Sequence, residues 1–439
     1  MRLSALLLLL LAAAPQESAK SGLNVVVLLA DDLGYGDLGC TGHPMIKTPN
    51  LDRFAASAAT FTHGCAAMPV CSPSRAALLT GRNPNRYGIR DWIPPNSGIF
   101  LPREELTAAR LLKDAGYATA HFGKWHLNSK MDGSEPTPAD HGFDTWLATQ
   151  NNAAPSHRNP VNFLRDGKRV GKLEGYSCGI LADEALRWLK EGRDPKKPFF
   201  LNVWFHEPHE PIDSPDDLVA QYPLAVKPGQ ALHHANVANL DRAAGRILAA
   251  LDELKLAEGT VVLFTSDNGP ETLNRYKGSH RSHGSPGPFR GMKLHVTEGG
   301  FRVPFLLRWP GRTRPGQTCA EPAVGTDLLP TLCDALGLKP PAGRALDGAS
   351  LLPALEGKTV ARAVPLYWQY DKAISTPWTL ALREGPWKLL SNAALDRFEL
   401  YDLVKDPSET RDLAAEHPER AREMAESLRA RHREINVPR

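Results

Sequence analysis

Four short apolar runs stand out along the chain, widely separated and each followed at once by polar residues. The first, residues 24–30 (Asn-Val-Val-Val-Leu-Leu-Ala), is continuous rather than alternating. That pattern predicts a strand buried on both faces, as in a parallel sheet. Runs at 117–122, 198–205 and 260–265 share its character, and 305–309 adds a further strand. Between them, apolar positions at helical spacing predict helices over 50–59, 104–115, 176–191 and 236–254, the second closed by Gly116. Residues 127–175 are rich in Gly, Pro, Asn and Asp and read as long loops around His141-Gly142-Phe143-Asp144. After about Val360 the pattern changes to strands near 378–384, 387–391 and 398–403 and one amphipathic helix over 418–435. This order predicts a large α/β domain over 19–357 and a smaller α+β domain over 358–439, an antiparallel sheet with one helix packed on it.

The polar residues that stop the four runs form pairs: Asp31/Asp32, Lys124/His126, His206/His209 and Asp267/Asn268. In open α/β sheets the ligand site lies beyond the carboxyl ends of the strands, so four such pairs fall at one edge. Two adjacent carboxylates at the end of a buried strand repel unless a cation sits between them; a solvated turn is the alternative. An oxygen-rich set of Asp31, Asp32, Asp267 and Asn268 suits a hard cation. Lys124 and His126, two apart, share a face if the segment is extended. Pro208 and Pro211 stiffen the loop that presents the histidines.

A further stretch, Cys71-Ser72-Pro73-Ser74-Arg75-Ala76-Ala77-Leu78-Leu79-Thr80-Gly81-Arg82, reads as a cysteine at the mouth of a helix. Ser72 suits the N-cap, Pro73 the first helical position and Gly81 the left-handed stop. Such a helix end favours an anion, with the Arg75 guanidinium beside it. A lone Cys-x-Pro would read as a buried or disulfide-bonded cysteine. With Ser74, Arg75, Leu79, Gly81 and Arg82 in register, the stretch resembles the signature of the formylglycine-dependent sulfatases.

The resemblance runs from about Leu23 to the end of the chain. It implies an alkaline-phosphatase-like α/β/α sandwich with a small C-terminal domain. It implies that Cys71 is oxidised to formylglycine, and that Ca2+ is held by Asp31, Asp32, Asp267, Asn268 and the modified Cys71. Lys124 and Lys293 match sulfate-binding lysines, the latter placed by its distance to Glu298-Gly299-Gly300. Arg75 and His126 match groups that hold and activate the aldehyde hydrate. His209 falls where a general acid to the leaving oxygen is expected, and His206 is left as a substrate contact. In the mechanism that the resemblance implies, one hydroxyl of the hydrate attacks sulfur as the alcohol leaves, protonated by His209, and the second hydroxyl then expels the sulfate and regenerates the aldehyde, a route closed to serine. Gly284-Ser285-Pro286-Gly287-Pro288-Phe289, with Lys293 downstream, is locally similar to N-acetylgalactosamine-6-sulfatases. The implied partners are a sulfated carbohydrate and a formylglycine-generating or anaerobic sulfatase-maturing enzyme. A phosphodiesterase or phosphonate monoester hydrolase of the same superfamily is the second reading. A sulfated-glycan-binding protein with decayed catalysis is the third, and the presence of every site residue argues against it.

Composition removes other classes. With 439 residues, 42% hydrophobic and 23% charged, the chain is ordinary globular protein with room for more than one core. A formal charge of +3 without a basic run does not suit a nucleic-acid partner. The first 18 residues read as a secretory signal: Arg2, an apolar core from Leu6 to Leu11, then Ala12-Ala13-Ala14. That core is too short to span a bilayer and no later segment is apolar enough, so export to the periplasm or the exterior is expected. The six cysteines, Cys40, Cys65, Cys71, Cys178, Cys319 and Cys333, include no Cys-x-x-Cys pair, so neither a zinc site nor a disulfide scaffold is expected.

Overall fold

The computed structural model describes residues 22–222, 227–273, 281–340 and 343–437. The expected signal segment, 1–18, lies outside them. The first apolar run is the strand Asn24–Asp31, near the middle of a ten-stranded sheet. The order across the sheet is Gln317–Cys319, Ala59–Phe61, Phe305–Arg308, Thr260–Ser266, Asn24–Asp31, Phe199–Pro208, Ala118–Lys124, Thr145–Thr149, Leu164–Arg165 and Lys168–Arg169. The five strands from Thr260–Ser266 to Thr145–Thr149 are mutually parallel. Phe305–Arg308 pairs antiparallel with Thr260–Ser266.

Continuous hydrophobicity in the central strand has a direct structural counterpart. Val25, Val27 and Leu29 enter one core, beneath the helices Cys71–Thr80, Ala108–Asp114 and Leu328–Leu336. Val26, Leu28 and Ala30 enter the other, beneath Pro49–Ser57, Ser177–Arg187 and Pro228–Glu253. Alternate side chains of one strand therefore serve both layers, each burial contributing about 1.5–3 kcal/mol for a Val or Leu.

Some expected elements shift. The helix expected over 104–115 is confined to Ala108–Asp114, because Thr107 Oγ1 caps it by accepting from the Arg110 N–H at 3.1 Å. The long helix starts at Pro228, well before 236. The supposed loop region 127–175 contains the strand Thr145–Thr149, too short for a periodicity to reveal. The small sheet has four strands, Leu366–Gln369 preceding Leu380–Glu384, Trp387–Ser391 and Phe398–Asp402, all antiparallel.

The helix Pro418–Ile435 covers one face of that sheet through Met424, Leu428 and Ile435. The other face meets the large unit, where the Phe301 and Trp368 rings stack 4.3 Å apart and Trp368 Nε1–H donates to the Ala66 carbonyl at 3.0 Å. Under this contact Lys388 Nζ, fully buried, sits 2.9 Å from Glu298 and 2.7 Å from Glu409, and Arg302 Nε holds Glu298 at 2.8 Å. Burial alone would raise the Glu298 carboxyl, but Arg302 and Lys388 outweigh it and hold it well below the usual range. Gly299 and Gly300 permit the approach: a Cβ on Gly300 would collide with the His295 carbonyl oxygen.

Removing one partner from a buried charge cluster leaves the others uncompensated. Lys388→Met is expected to destabilise the protein by about 3–5 kcal/mol, read as a lower urea midpoint by circular dichroism. A loss below about 1 kcal/mol would show that Lys388 is not what holds Glu298 and Glu409 together.

Candidate active site

Because neighbouring strands run parallel, their carboxyl ends bring Asp31, Lys124, His209 and Asp267 to one edge of the sheet. Asp31 ends its strand, and Asp32 turns out of it with φ of +63°, a left-handed conformation that costs a non-glycine residue about 1–2 kcal/mol. Two bonds hold the turn: the Asp32 N–H donates to Asp267 Oδ1 at 3.2 Å and the Leu33 N–H to Ser266 Oγ at 3.0 Å.

Asp31, Asp32 and Asp267 are all buried, and each has a cation. Lys124 Nζ lies 2.6 Å from Asp31, Lys293 Nζ lies 2.8 Å from Asp32, and Arg75 Nη2 lies 2.7 Å from Asp267 and 3.5 Å from Asp31. Burial raises Asp31, but Lys124, His209, Arg75 and Lys293 together hold it well below the carboxylate range. Asp267 goes the other way, pushed up to about 7 by burial and by the charge of Asp31.

One oxygen each from Asp31 and Asp32, the Cys71 Sγ and a ring nitrogen of His209 lie within 4.8 Å of one another, so they can share one metal ion. Asn268 Nδ2 donates to Asp32 Oδ1 at 2.7 Å, while its Oδ1 is buried without a partner among the described residues. That orphaned oxygen is a further donor of the type a hard cation takes. His209 stands beside these groups, with Nε2 3.5 Å from Asp32 Oδ2. Asp267 is committed through Oδ1 to the Asp32 N–H and through Oδ2 to Arg75.

Cys71 is the first residue of its helix, with Val70 in the extended N-cap position, rather than a residue ahead of it. Ser72 does not cap; its Oγ accepts the Ile93 N–H at 3.0 Å instead. Gly81 closes the helix in the left-handed conformation, as expected. The Cys71 Sγ lies 3.6 Å from Asp31 Oδ1, and burial pushes the thiol pKa up strongly, so as a thiol it is a poor nucleophile. Arg75 Nη2, 3.5 Å from Asp31, comes up against the same carboxylate that the Cys71 Sγ faces. Its guanidinium is fully buried, clamping Asp267 and the Lys124 carbonyl (Nη1, 3.0 Å).

A cavity of about 460 Å³ opens over this floor, lined by Cys71, His126, His209 and Lys293, with Trp92 and Tyr370 among its walls. Lys124 does not line it, and does not share a face with His126. Its strand ends at Lys124 and the backbone turns at His126, where φ is +54°. His126 Nε2–H donates to the Ile93 carbonyl at 3.2 Å, which leaves the Nδ1 lone pair buried and without a partner among the described residues. His209 Nδ1–H donates to the Glu210 carbonyl at 2.5 Å, leaving Nε2 as its exchangeable position. Burial pushes His209 down to about 4 against the pull of Asp32.

A family profile described as Sulfatase matches residues 23–338, and one described as N-sulphoglucosamine sulphohydrolase, C-terminal, matches residues 292–437. The chain belongs to the sulfatase family. It is 33% identical over 466 residues to the N-acetylgalactosamine-6-sulfatase of Homo sapiens, covering 94% of this chain and 86% of that one. The crystal structure of Ps i-CgsB in complex with k-i-k-neocarrahexaose superposes with a TM-score of 0.82 at 27% identity, over 93% of this chain and 94% of that one. A phosphonate monoester hydrolase of Agrobacterium radiobacter, at 24% identity and a TM-score of 0.64 over 93% of this chain and 96% of its own, shares the fold. This sulfatase is thus an alkaline-phosphatase-like α/β sandwich with a small antiparallel C-terminal sheet, and an enzyme that hydrolyses sulfate esters. Among its described residues no helix is long and apolar enough to cross a membrane.

Trp92 and Tyr370 were not legible as site residues. Trp92 sits in a loop without periodicity, and Tyr370 arrives from the small sheet, whose first strand was missed. His206, expected to touch substrate, does not reach the cavity. It lies within the strand Phe199–Pro208, fully buried, with Nε2 2.8 Å from Thr149 Oγ1 and its ring against Phe163. His206→Ala should therefore lower stability by about 1–3 kcal/mol and leave KM for substrate unchanged. A raised KM at unchanged Tm would restore the substrate contact.

Proposed function

We propose that this sulfatase removes sulfate from a sulfated carbohydrate, of the N-acetylgalactosamine-6-sulfate type, using a formylglycine at position 71 and a calcium ion. The observation that carries the reading is the cavity itself: Lys293 and the imidazoles of His126 and His209 at its floor, and the exposed face of Trp92 beside Tyr370 at its wall. A basic floor suits the sulfate, and an aromatic wall suits the C–H face of a sugar ring. The similarity to the N-acetylgalactosamine-6-sulfatase of Homo sapiens supports the sugar type.

Asp31, Asp32 and the Asn268 Oδ1 supply oxygens of the type calcium prefers, and the Cys71 Sγ marks where an oxygen of the aldehyde hydrate would stand. Calcium bound there would polarise the sulfate oxygens. An aldehyde hydrate at position 71 would offer a nucleophilic oxygen where a high-pKa thiol does not. The remaining roles fall to this chain's own side chains. Lys293, on the cavity floor, attracts the sulfate. Lys124 and Arg75, behind the floor, fix Asp31 and Asp267 and add positive potential. His126, with its free Nδ1 lone pair, accepts a proton from a hydroxyl at position 71. His209 gives its Nε2 proton to the leaving oxygen; an entering sulfate ester brings negative charge to that nitrogen and favours the protonated ring.

The function is tested on protein whose Cys71 peptide carries the aldehyde by mass spectrometry. An aryl sulfate should be hydrolysed and an aryl phosphate diester should not, with activity lost in Cys71→Ala and on chelation, and restored by calcium after chelation. Preference for the diester would move the enzyme to the phosphodiesterase reading. A general acid matters most for a poor leaving group, so His209→Ala should lose on the order of 10²-fold more activity on a sulfated sugar than on nitrophenyl sulfate. Equal losses on the two substrates would assign His209 to the sulfate or the metal instead.

A further inference from the structure

At the other end of the small sheet from the reaction cavity, a second cavity of about 710 Å³ opens at the joint between the two sheets. Leu366 lines this one and Tyr370 lines the reaction cavity, so the strand Leu366–Gln369 separates them by about 13 Å at ~3.3 Å per residue. No step of the reaction proposed above uses it.

The joint is crowded with buried charge. Four buried or nearly buried cations, Arg302, Arg362, Arg383 and Lys388, stand against three carboxylates, Glu298, Asp327 and Glu409. Arg302 and Lys388 hold Glu298, Lys388 also holds Glu409, and Arg362 Nη2 lies 2.8 Å from Asp327. Arg383 has no carboxylate within ion-pair distance among the described residues. It is 4% exposed and lines the cavity; its Nε donates to the Gly385 carbonyl at 3.0 Å, and its Nη1 is buried with no partner among the described residues. His63 lines the same cavity, and its Nδ1 is likewise buried and unpartnered.

The wall also carries two carboxylates, Glu321 and Glu384. Glu321 Oε2 accepts the Val360 N–H at 3.1 Å, and Glu384 accepts from Arg420 at 2.9 Å and Ser427 at 2.8 Å. Burial, with Arg302 and Arg383 nearby, pushes His63 down to about 3, so its ring is neutral. A buried guanidinium nitrogen and a buried ring nitrogen, both unsatisfied and on one cavity, are costly unless a ligand completes them.

We propose that this joint cavity is an anion-binding site in which Arg383 Nη1–H and His63 Nδ1–H donate to an oxyanion. The ligand is sulfate chemistry from one of two sources, the inorganic sulfate that the reaction releases or a sulfate group further along a saccharide. Val360, Ala363 and Val404 give the cavity an apolar wall against which a sugar ring can lie. The site rests on its two unpartnered nitrogens and stands apart from the hydrolytic reading.

Selenate has the shape of sulfate and scatters anomalously. Crystals of the full chain soaked in millimolar selenate should show an anomalous peak within hydrogen-bond reach of Arg383 Nη1 and His63 Nδ1. The peak should vanish in Arg383→Met and weaken in His63→Ala, with any peak beside Cys71 retained. In solution, His63→Ala should weaken the Arg383-dependent binding of sulfate about tenfold, the effect of one lost hydrogen bond to a charged group. Binding of a disulfated disaccharide about tenfold tighter than sulfate, lost in Arg383→Met, assigns the site to a saccharide; no such gain assigns it to the released anion. Selenate beside Cys71 alone, or a joint peak unchanged in both variants, overturns the proposal.

Discussion

Burying three carboxylates at the end of a hydrophobic sheet is the constraint around which this protein is built. Asp31, Asp32 and Asp267 have no solvent to disperse their charge, so each must be met by a fixed cation. Arg75 arrives from the helix that begins at Cys71, Lys124 from a strand two places along the sheet, and Lys293 from the polar segment before the small domain. Placing the countercharges thus places the helix mouth, the lysines and His209 around one floor. Of these cations Lys293 also lines the reaction cavity, where it would meet a sulfate, with Lys124 and Arg75 adding potential from behind.

The small sheet is part of this arrangement rather than an appendage. Glu298-Gly299-Gly300 looked in the sequence like a marker for locating Lys293. In three dimensions it is a joint: Glu298 anchors Arg302 and Lys388, and the two glycines let the backbone pass close to 290–295. Tyr370 then reaches the reaction cavity from the far side of that joint. Motif and joint coincide because the segment that carries Lys293 must be held at both ends.

Much of the fold was legible because parallel strands buried on both faces leave a strong one-dimensional signal. The four runs with polar pairs at their ends led directly to the sheet edge. What failed was local. Ser72 has the right chemistry for a cap, but its hydroxyl is taken by Ile93, a contact between segments 21 residues apart. The shared face of Lys124 and His126 required an extended backbone, and the left-handed turn at His126 removes it. The register that separates His206 from His209 was readable, whereas the burial of His206 depends on Thr149, in a strand too short to predict. Lysines and histidines announce a site in sequence; which of them face the substrate is decided by tertiary packing.

The position of Cys71 also has a consequence in time. Its thiol is 2% exposed, its helix is buried along its whole length, and the floor beneath it joins strands more than two hundred residues apart, Asn24–Asp31 and Thr260–Ser266. Once those strands have paired, the residue is fixed in a buried helix at the bottom of the reaction cavity. Contacts so distant in sequence form late, after most of the chain has been made. On the proposed reading, conversion of Cys71 to an aldehyde would then fall to the nascent chain, and the yield of active enzyme would become a race between maturation and folding.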